Sequence, residues 1–461
     1  MRKILKLLSD ALNGKEKNFT TGSINRAILM LSIPMVLEMA MESLFAIVDV
    51  FFVAQVSPNA VATVGLTESV ITLVYAVAIG MSTAPMAMIA RYIGEGNKAA
   101  ASKVVMQAIY LSVCIALLIG IPGYFFAENI LAMMGGEEEL IASGVGYTRI
   151  MFASNVFIML LFLLNGIFRG AGDAHLAMRA LWIANGINII LDPIFIFGLG
   201  PIPAMGVEGA AIATTIGRGI GVVFQLYILL RGKSIVRLYF NQLGINMEII
   251  GKLLRIASNG ALQFIIASAS WIVLMRIVAK SGSEAVAGYT IAIRLIIFTL
   301  LPSWGIANAA ATLVGQNLGA KNPDRAEQSV WRAAFFSMLF LASVAFIYYA
   351  AAEPIIRFFT DKPFVIESGI LSLKIFAISY ALFAYGMVIG QSFNGAGDTR
   401  TPMIINLICF WAVEIPLAHY LAVYLDWKLA GVCWAIAGSE TLMTILSIYL
   451  FRLGKWKEVK I

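Results

Sequence analysis

The sequence predicts an all-α integral membrane protein with twelve transmembrane helices arranged as two six-helix repeats. Three observations lead there. The 461 residues are 60% hydrophobic and only 13% charged, where a soluble globular domain carries about a quarter of its residues as charge. The apolar residues form long runs between short polar breaks, each at or above the roughly 20 residues that cross the hydrocarbon core as a helix. Finally, the octet FRGAGDAH, which starts at Phe168, returns as FNGAGDTR at Phe393.

In order, the spans fall near 28–56, 60–90, 99–123, 141–168, 176–198, 206–232, 250–280, 285–312, 325–351, 365–393, 401–424 and 428–453. None alternates with the period of two that a transmembrane barrel needs. The first follows a polar arm of about 25 residues and is too long and wrongly flanked for a cleavable signal peptide. Lys and Arg gather in that arm (Arg2, Lys3, Lys6, Lys15), in alternate connections (Arg91, Lys98; Arg231, Lys233; Lys321, Arg325) and in the tail (Arg452, Lys455, Lys457). The other loops, QVSPNA, GGEEEL and GLGPIPAMGVEG, carry none. Cytoplasmic loops retain positive charge, so both termini are expected in the cytoplasm of a multi-pass cell-membrane protein. This bias accounts for the net charge of +7, and no nucleic-acid partner is needed.

Gly170 and Gly395 are 225 positions apart, and the same offset carries Ala60-Val61-Ala62 to Ala285-Val286-Ala287, Gly94 to Gly319, Asn97 to Asn322, Met178 to Met403 and Gly206-Val207 to Gly431-Val432. The unit holds an even number of spans, so the copies share one orientation and a pseudo-two-fold axis along the membrane normal. The expected division is an N lobe over 1–230, a cytoplasmic linker over 231–250 with a short amphipathic helix, and a C lobe over 251–461. Both octets fall between the fourth and fifth spans of their half. They are expected as tight hairpins whose glycines take positive φ and whose Asp caps the next helix. A phosphate loop would need a strand before it.

These residues resemble a family. The twelve spans, FRGAGD and FNGAGD, IPMVLEMAMESLFAIVDVFFV in the first span and NIILDPIFIFGLGPIPAMGVEGAAIATTIGR across the fifth and sixth are similar to the multidrug and toxic compound extrusion (MATE) family over essentially the whole chain. The likeness is strongest to the prokaryotic DinF-like branch and looks close to an archaeal Pyrococcus member. It implies a secondary antiporter, a monomer in a lipid membrane, that exports amphipathic, often cationic drug-like compounds by alternating access. Proton or sodium entry would drive it, with no other cofactor.

The halves differ in their buried polar groups: Asp49, Asn188 and Asp192 map to Leu274, Val413 and Leu417. An intramembrane carboxylate is costly unless paired or facing water, which places the coupling site in the N lobe. Asn185, Asn188 and Asp192, spaced 3 and 4 apart, share one helix face; Tyr147, Ser154 and Asn165 form a stripe on the fourth span, Thr214, Arg218 and Gln225 another on the sixth. Glu38 and Glu42 lie on much the same face as Asp49. Two neighbouring desolvated carboxylates cannot both ionise cheaply and should titrate jointly, which suits a proton carrier, while the same oxygens suit sodium. The resemblance assigns cation coupling, by proton or a sodium ion, to Asp49, Asn188, Asp192 and Thr214. Asn165, Tyr147, Ser154 and Asn185 are then neighbouring substrate residues, and the alternative is that these groups only hold helices together. Pro34 is expected to act as a hinge, bending the first span when the carboxylates take up protons.

In the C lobe, Arg276, Arg294, Glu414 and Glu440 are expected to form buried ion pairs. Some relatives couple through a carboxylate in the tenth span, but here that span has only Glu367, near its outer end, so a C-lobe cation site is not expected. Some of the 21 Met and 28 Phe should line a drug cavity. Cys114, Cys409 and Cys433 lack metal-ligand spacing and are read as packing residues. With two histidines, His175 and His419, and no HExxH, G-x-S-x-G or Walker loop, an enzyme is not expected. The rival is a flippase for a lipid-linked oligosaccharide or other lipid, whose phosphates would want a strongly cationic cavity; Arg218, Arg276 and Arg294 keep it open.

Overall fold

Helix starts are written locally. Ser23 accepts the amide of Arg26, Ser57 that of Ala60 and Asn97 that of Ala100; Asn322 accepts Arg325 N–H, and Asn246 accepts two amides at the next start. Each satisfies an otherwise orphaned donor of a first turn. The computed structural model describes residues 2–16, 18–239 and 244–461. Its helices are α1 (Arg2–Leu12), α2 (Ile24–Val53), α3 (Pro58–Gly94), α4 (Lys98–Phe125), α5 (Ala127–Met133), α6 (Glu138–Ala153), α7 (Asn155–Ala171), α8 (Ala174–Phe197) and α9 (Gly206–Arg231) in the first half. The second half holds α10 (Met247–Ala279), α11 (Ser283–Gly319), α12 (Pro323–Ala350), α13 (Ala352–Arg357), α14 (Pro363–Ala396), α15 (Arg400–Asn406), α16 (Ile415–His419) and α17 (Lys428–Arg452). The described residues form no strand beyond an isolated bridge between Leu199 and Ile202.

The repeat is nearly residue-for-residue. Pro58–Gly94 shifted by 225 is Ser283–Gly319, and Lys98–Phe125 becomes Pro323–Ala350. Among the described residues ten helices are long and apolar enough to cross a membrane, the bent pair α6–α7 makes an eleventh, and the 30-residue α2 completes the twelve spans.

Two spans depart from continuous α-helix. The fourth, expected as one helix over 141–168, breaks at Ser154 with a bend of 42°. Beyond the break Asn155 donates to the Ala116 carbonyl of α4 at 3.1 Å, so the stripe expected for Tyr147, Ser154 and Asn165 does not run through. Its counterpart, α14, is unbroken. The eleventh span passes from α15 through a π-helical stretch, Leu407–Glu414, to α16 and a second one, Tyr420–Tyr424.

One buried cluster lies within the first half up to Ala257, another within the second, and a third joins the start of α2 to α11, α12 and α14. The halves therefore pack through their first two spans. At 37 residues, α3 and α11 are each about 55 Å long, well beyond the roughly 30 Å hydrocarbon thickness. They cross where the chain termini gather. A Cβ at Gly94 would overlap the Gln316 carbonyl, and one at Gly319 the Arg91 carbonyl.

The octets sit at that crossing, and their glycines divide the work. Gly170 and Gly395 stay helical, their bare Cα atoms against the carbonyls of Met86 and Ala311. Gly172 and Gly397 end the helices at φ 89° and 88°, the left-handed cap that favours glycine. Gln316 of α11 donates to the Gly170 carbonyl at 3.1 Å, and its repeat-mate Arg91 of α3 donates to the Ala396 carbonyl at 3.2 Å. The octets are thus where each half grips the other.

The Asp residues correct the expected cap in one half. Asp398 accepts the Thr401 amide at 3.1 Å, as a cap should. Asp173 has no cap bond to its own helix; it accepts from Ser234 Oγ at 2.6 Å and Ile235 N at 2.8 Å, fastening the linker. The linker's amphipathic helix is absent from its described part, and residues 240–243 lie outside the described residues. An amphipathic helix occurs instead in the N-terminal arm, as α1.

Candidate functional site

Helix α8 carries the centre of the site. Its spacing puts Asn185, Asn188 and Asp192 on the face turned to α2 and α9, where all three are buried. Asn188 Nδ2 donates to Asp192 Oδ1 at 3.3 Å and to Thr214 Oγ1 of α9 at 3.1 Å. Asp49 of α2 is buried beside them, near enough to Asp192 for their charges to repel and to Arg218 for attraction. The four residues expected to couple a cation therefore meet at one place.

Three oxygens in this group, Asp49 Oδ1, Asn188 Oδ1 and Asp192 Oδ2, are buried without a hydrogen-bond partner. Acceptors buried without a donor cost about 1–3 kcal/mol each. A proton on a carboxylate or a hard cation among the oxygens would relieve that cost. Among the described residues no ion pair includes Asp49 or Asp192.

The neighbouring residues are tied into hydrogen bonds. Asn185 donates to Glu42 at 2.9 Å and Asn165 to Glu38 at 3.1 Å, while Gln225 donates to Asn165 at 2.6 Å. Ser154, at the break, donates to the Met151 carbonyl of α6 at 3.2 Å. Tyr147 is buried close to Asp49 and Glu68. Pro34 lies inside α2, which continues through it as one helix.

Three residues went unmarked in the sequence. Tyr75 accepts from Arg218 at 2.7 Å, and the guanidinium also lies over the Phe45 and Tyr75 rings at 5.8 and 5.4 Å. Glu68, seven residues before Tyr75, shares its face of α3, and that spacing was the available signal. Arg169, in the first octet, is buried, 3.9 Å from Glu38. Its signal was the octets' one early difference, Arg169 against Asn394.

Comparison with known proteins shows the family. The MatE family model matches residues 34–194 and again residues 260–420, once in each half and together well over half of the chain. The chain belongs to the MatE family. Among MatE-family relatives, the probable multidrug resistance protein NorM of Thermotoga maritima is 28% identical, over 94% of each chain. The solved outward-facing structure of a multidrug resistance MATE transporter superposes with a TM-score of 0.90 at 26% identity, covering 96% of this chain and 99% of that one. A MOP-superfamily transporter from Pyrococcus furiosus does so at 0.89 and 26%, over 98% of each.

The second half of this MatE-family fold corrects one expectation. Arg276 and Arg294 are exposed, and among the described residues no ion pair joins them to Glu414 or Glu440. Arg276 instead borders a separate hollow with Lys280 and His419. The reason is angular: Glu414 and Glu440 turn inward to a common cavity, while the arginines leave their helices on the outer side, where a long side chain can keep its charge in a polar layer.

Proposed function

We propose that this MatE-family chain is a secondary multidrug antiporter that exports amphipathic, often cationic compounds by alternating access, driven by proton or sodium entry at Asp49, Asn188, Asp192 and Thr214. The observation that carries the reading is the trio of buried, donor-less oxygens on Asp49, Asn188 and Asp192. Two carboxylates in one desolvated site hold a single negative charge more cheaply than two, so the site has reason to take up a cation and to change its bonds when it does. Asn188 links that change to α9 through Thr214, and Asn185 with Glu42 links it to α2. The positive-inside bias supports a cytoplasmic position for both termini, and with it for the end where α3 and α11 cross.

The flippase reading loses its footing. Of the three arginines that kept it open, two are exposed and Arg218 is bound to Tyr75 and Phe45. The test is transport in liposomes with a fluorescent cationic dye, under a proton gradient and then a sodium gradient. Wild type is expected to move dye under at least one gradient, and Asp49→Asn and Asp192→Asn each to lower the rate by about a hundredfold or more, the scale of losing a positioned proton carrier. Transport that survives both substitutions would remove the coupling site from the first half.

A further inference from the structure

The second half holds a partly open cavity of about 300 Å³, apart from the Asp49 group and at the lower end of the size of small-molecule sites. One wall is aromatic, with Phe264, Trp271, Trp304 and Phe410; Phe264 and Trp304 meet edge to face at 5.8 Å. Another carries Glu414 and Glu440. Among the described residues no Lys, Arg or His lines it. Glu414 is only 3% exposed and closes the π-helical stretch Leu407–Glu414, a form of helix that tends to persist at functional sites. Ser439 Oγ, donating to the Cys409 carbonyl at 2.8 Å, holds α17 against that stretch and so sets Glu440 beside the same space.

The floor is a chain of amides. Gln263 donates to Asn394 at 3.0 Å, Asn394 to Gln391 at 2.6 Å and Gln391 to Asn308 at 3.3 Å. Gln263, Asn394 and Gln391 are tied to one another in this way, while Glu414 and Glu440 are the acids that line the cavity and face no countercharge among the residues around it. An acid held in a largely apolar cavity is stabilised by a proton or by a matching cation, and indole and phenyl faces attract cations. Asn394 belongs to the second octet, whose Ala396 carbonyl is held by Arg91 of the other half. The floor of the cavity is therefore joined to the crossing of the halves.

We propose that this cavity binds a compact aromatic monovalent organic cation, with its charge set against Glu414 and Glu440 and its rings between Trp271 and Trp304. The assignment rests on the antiporter reading and places the cargo in the half opposite the coupling carboxylates.

The experiment is equilibrium binding of ethidium to the full chain purified in detergent, read by fluorescence polarisation, alongside the liposome assay with the same dye. Three variants are compared with wild type: Glu414→Gln/Glu440→Gln, Glu440→Asp, and Trp304→Leu as the check that does not disturb a charge. Expected is binding by wild type, retained by Glu440→Asp and weakened about tenfold or more in the double variant and in Trp304→Leu. A neutral aromatic of similar size should bind wild type and the double variant alike, which a merely misfolded cavity would not give. Ethidium binding unchanged in the double variant and in Trp304→Leu overturns the cavity as the site while dye transport leaves the antiporter standing. Absence of both binding and transport in wild type overturns the two together.

Discussion

Asn188 makes two bonds through one amide nitrogen and leaves its oxygen free. Glu38 Oε2 and Gln225 Oε1 nearby are also buried without a partner, so what marks this group is that its free oxygens belong to two acids and an amide with no ion pair among the described residues. Asn165 is the contrasting case, with donor and acceptor both engaged between Glu38 and Gln225. Asn165→Leu should therefore act on stability, leaving Glu38 and Gln225 short of partners and costing about 1–3 kcal/mol in thermal unfolding. Gln225→Leu, which removes a terminal donor only, should cost less. Equal losses for the two would show that Asn165 is not the centre of that chain.

Among the elements, the octets show how one sequence serves two purposes. Asp398 caps its own helix, and Asp398→Ala is expected to cost about 1 kcal/mol without altering the linker. Asp173→Ala should instead free Ser234 and Ile235, and trypsin should cut sooner at Lys233 or Arg237; a cleavage rate equal to that of Asp398→Ala would refute the latch. Helix α1 lies at the same end, with Leu5 58% exposed and Asp10 bound to Lys15 at 2.9 Å. The Lys15 ammonium beside Asp10 holds its carboxyl below the usual carboxylate range. A carboxyl depressed on folding contributes stability above its unfolded pKa and loses it as the pH falls through the folded one. Arm docking, followed by proteolysis with an acid-active protease, should therefore hold near pH 4 and weaken below it, and Asp10→Asn should remove that dependence.

For the molecule as a whole, the crossing of α3 and α11 holds the two halves in close backbone contact at one end. Gly94→Ala and Gly319→Ala each put a methyl into the opposite backbone, and backbone cannot yield as a flexible side chain does. Spin labels across that end should report longer distances in either variant than in wild type, and unchanged distances would mean that the crossing is looser than its geometry. Much of this was legible in the chain itself: the twelve spans from hydropathy, the repeat from a shared offset of 225 that the helix bounds follow almost residue for residue, and the group on α8 from its spacing of 3 and 4. These are local or periodic properties, set by the bilayer's demand that every backbone polar group be satisfied within its own segment. The tertiary structure alone decided that Asp173 holds the linker while Asp398 caps a helix, that Arg169 is buried, that Arg218 pairs with Tyr75, and that Glu414 and Glu440 face a cavity instead of arginines. Those outcomes depend on which way a side chain leaves its helix and what stands opposite, and a single chain of residue types does not carry that orientation.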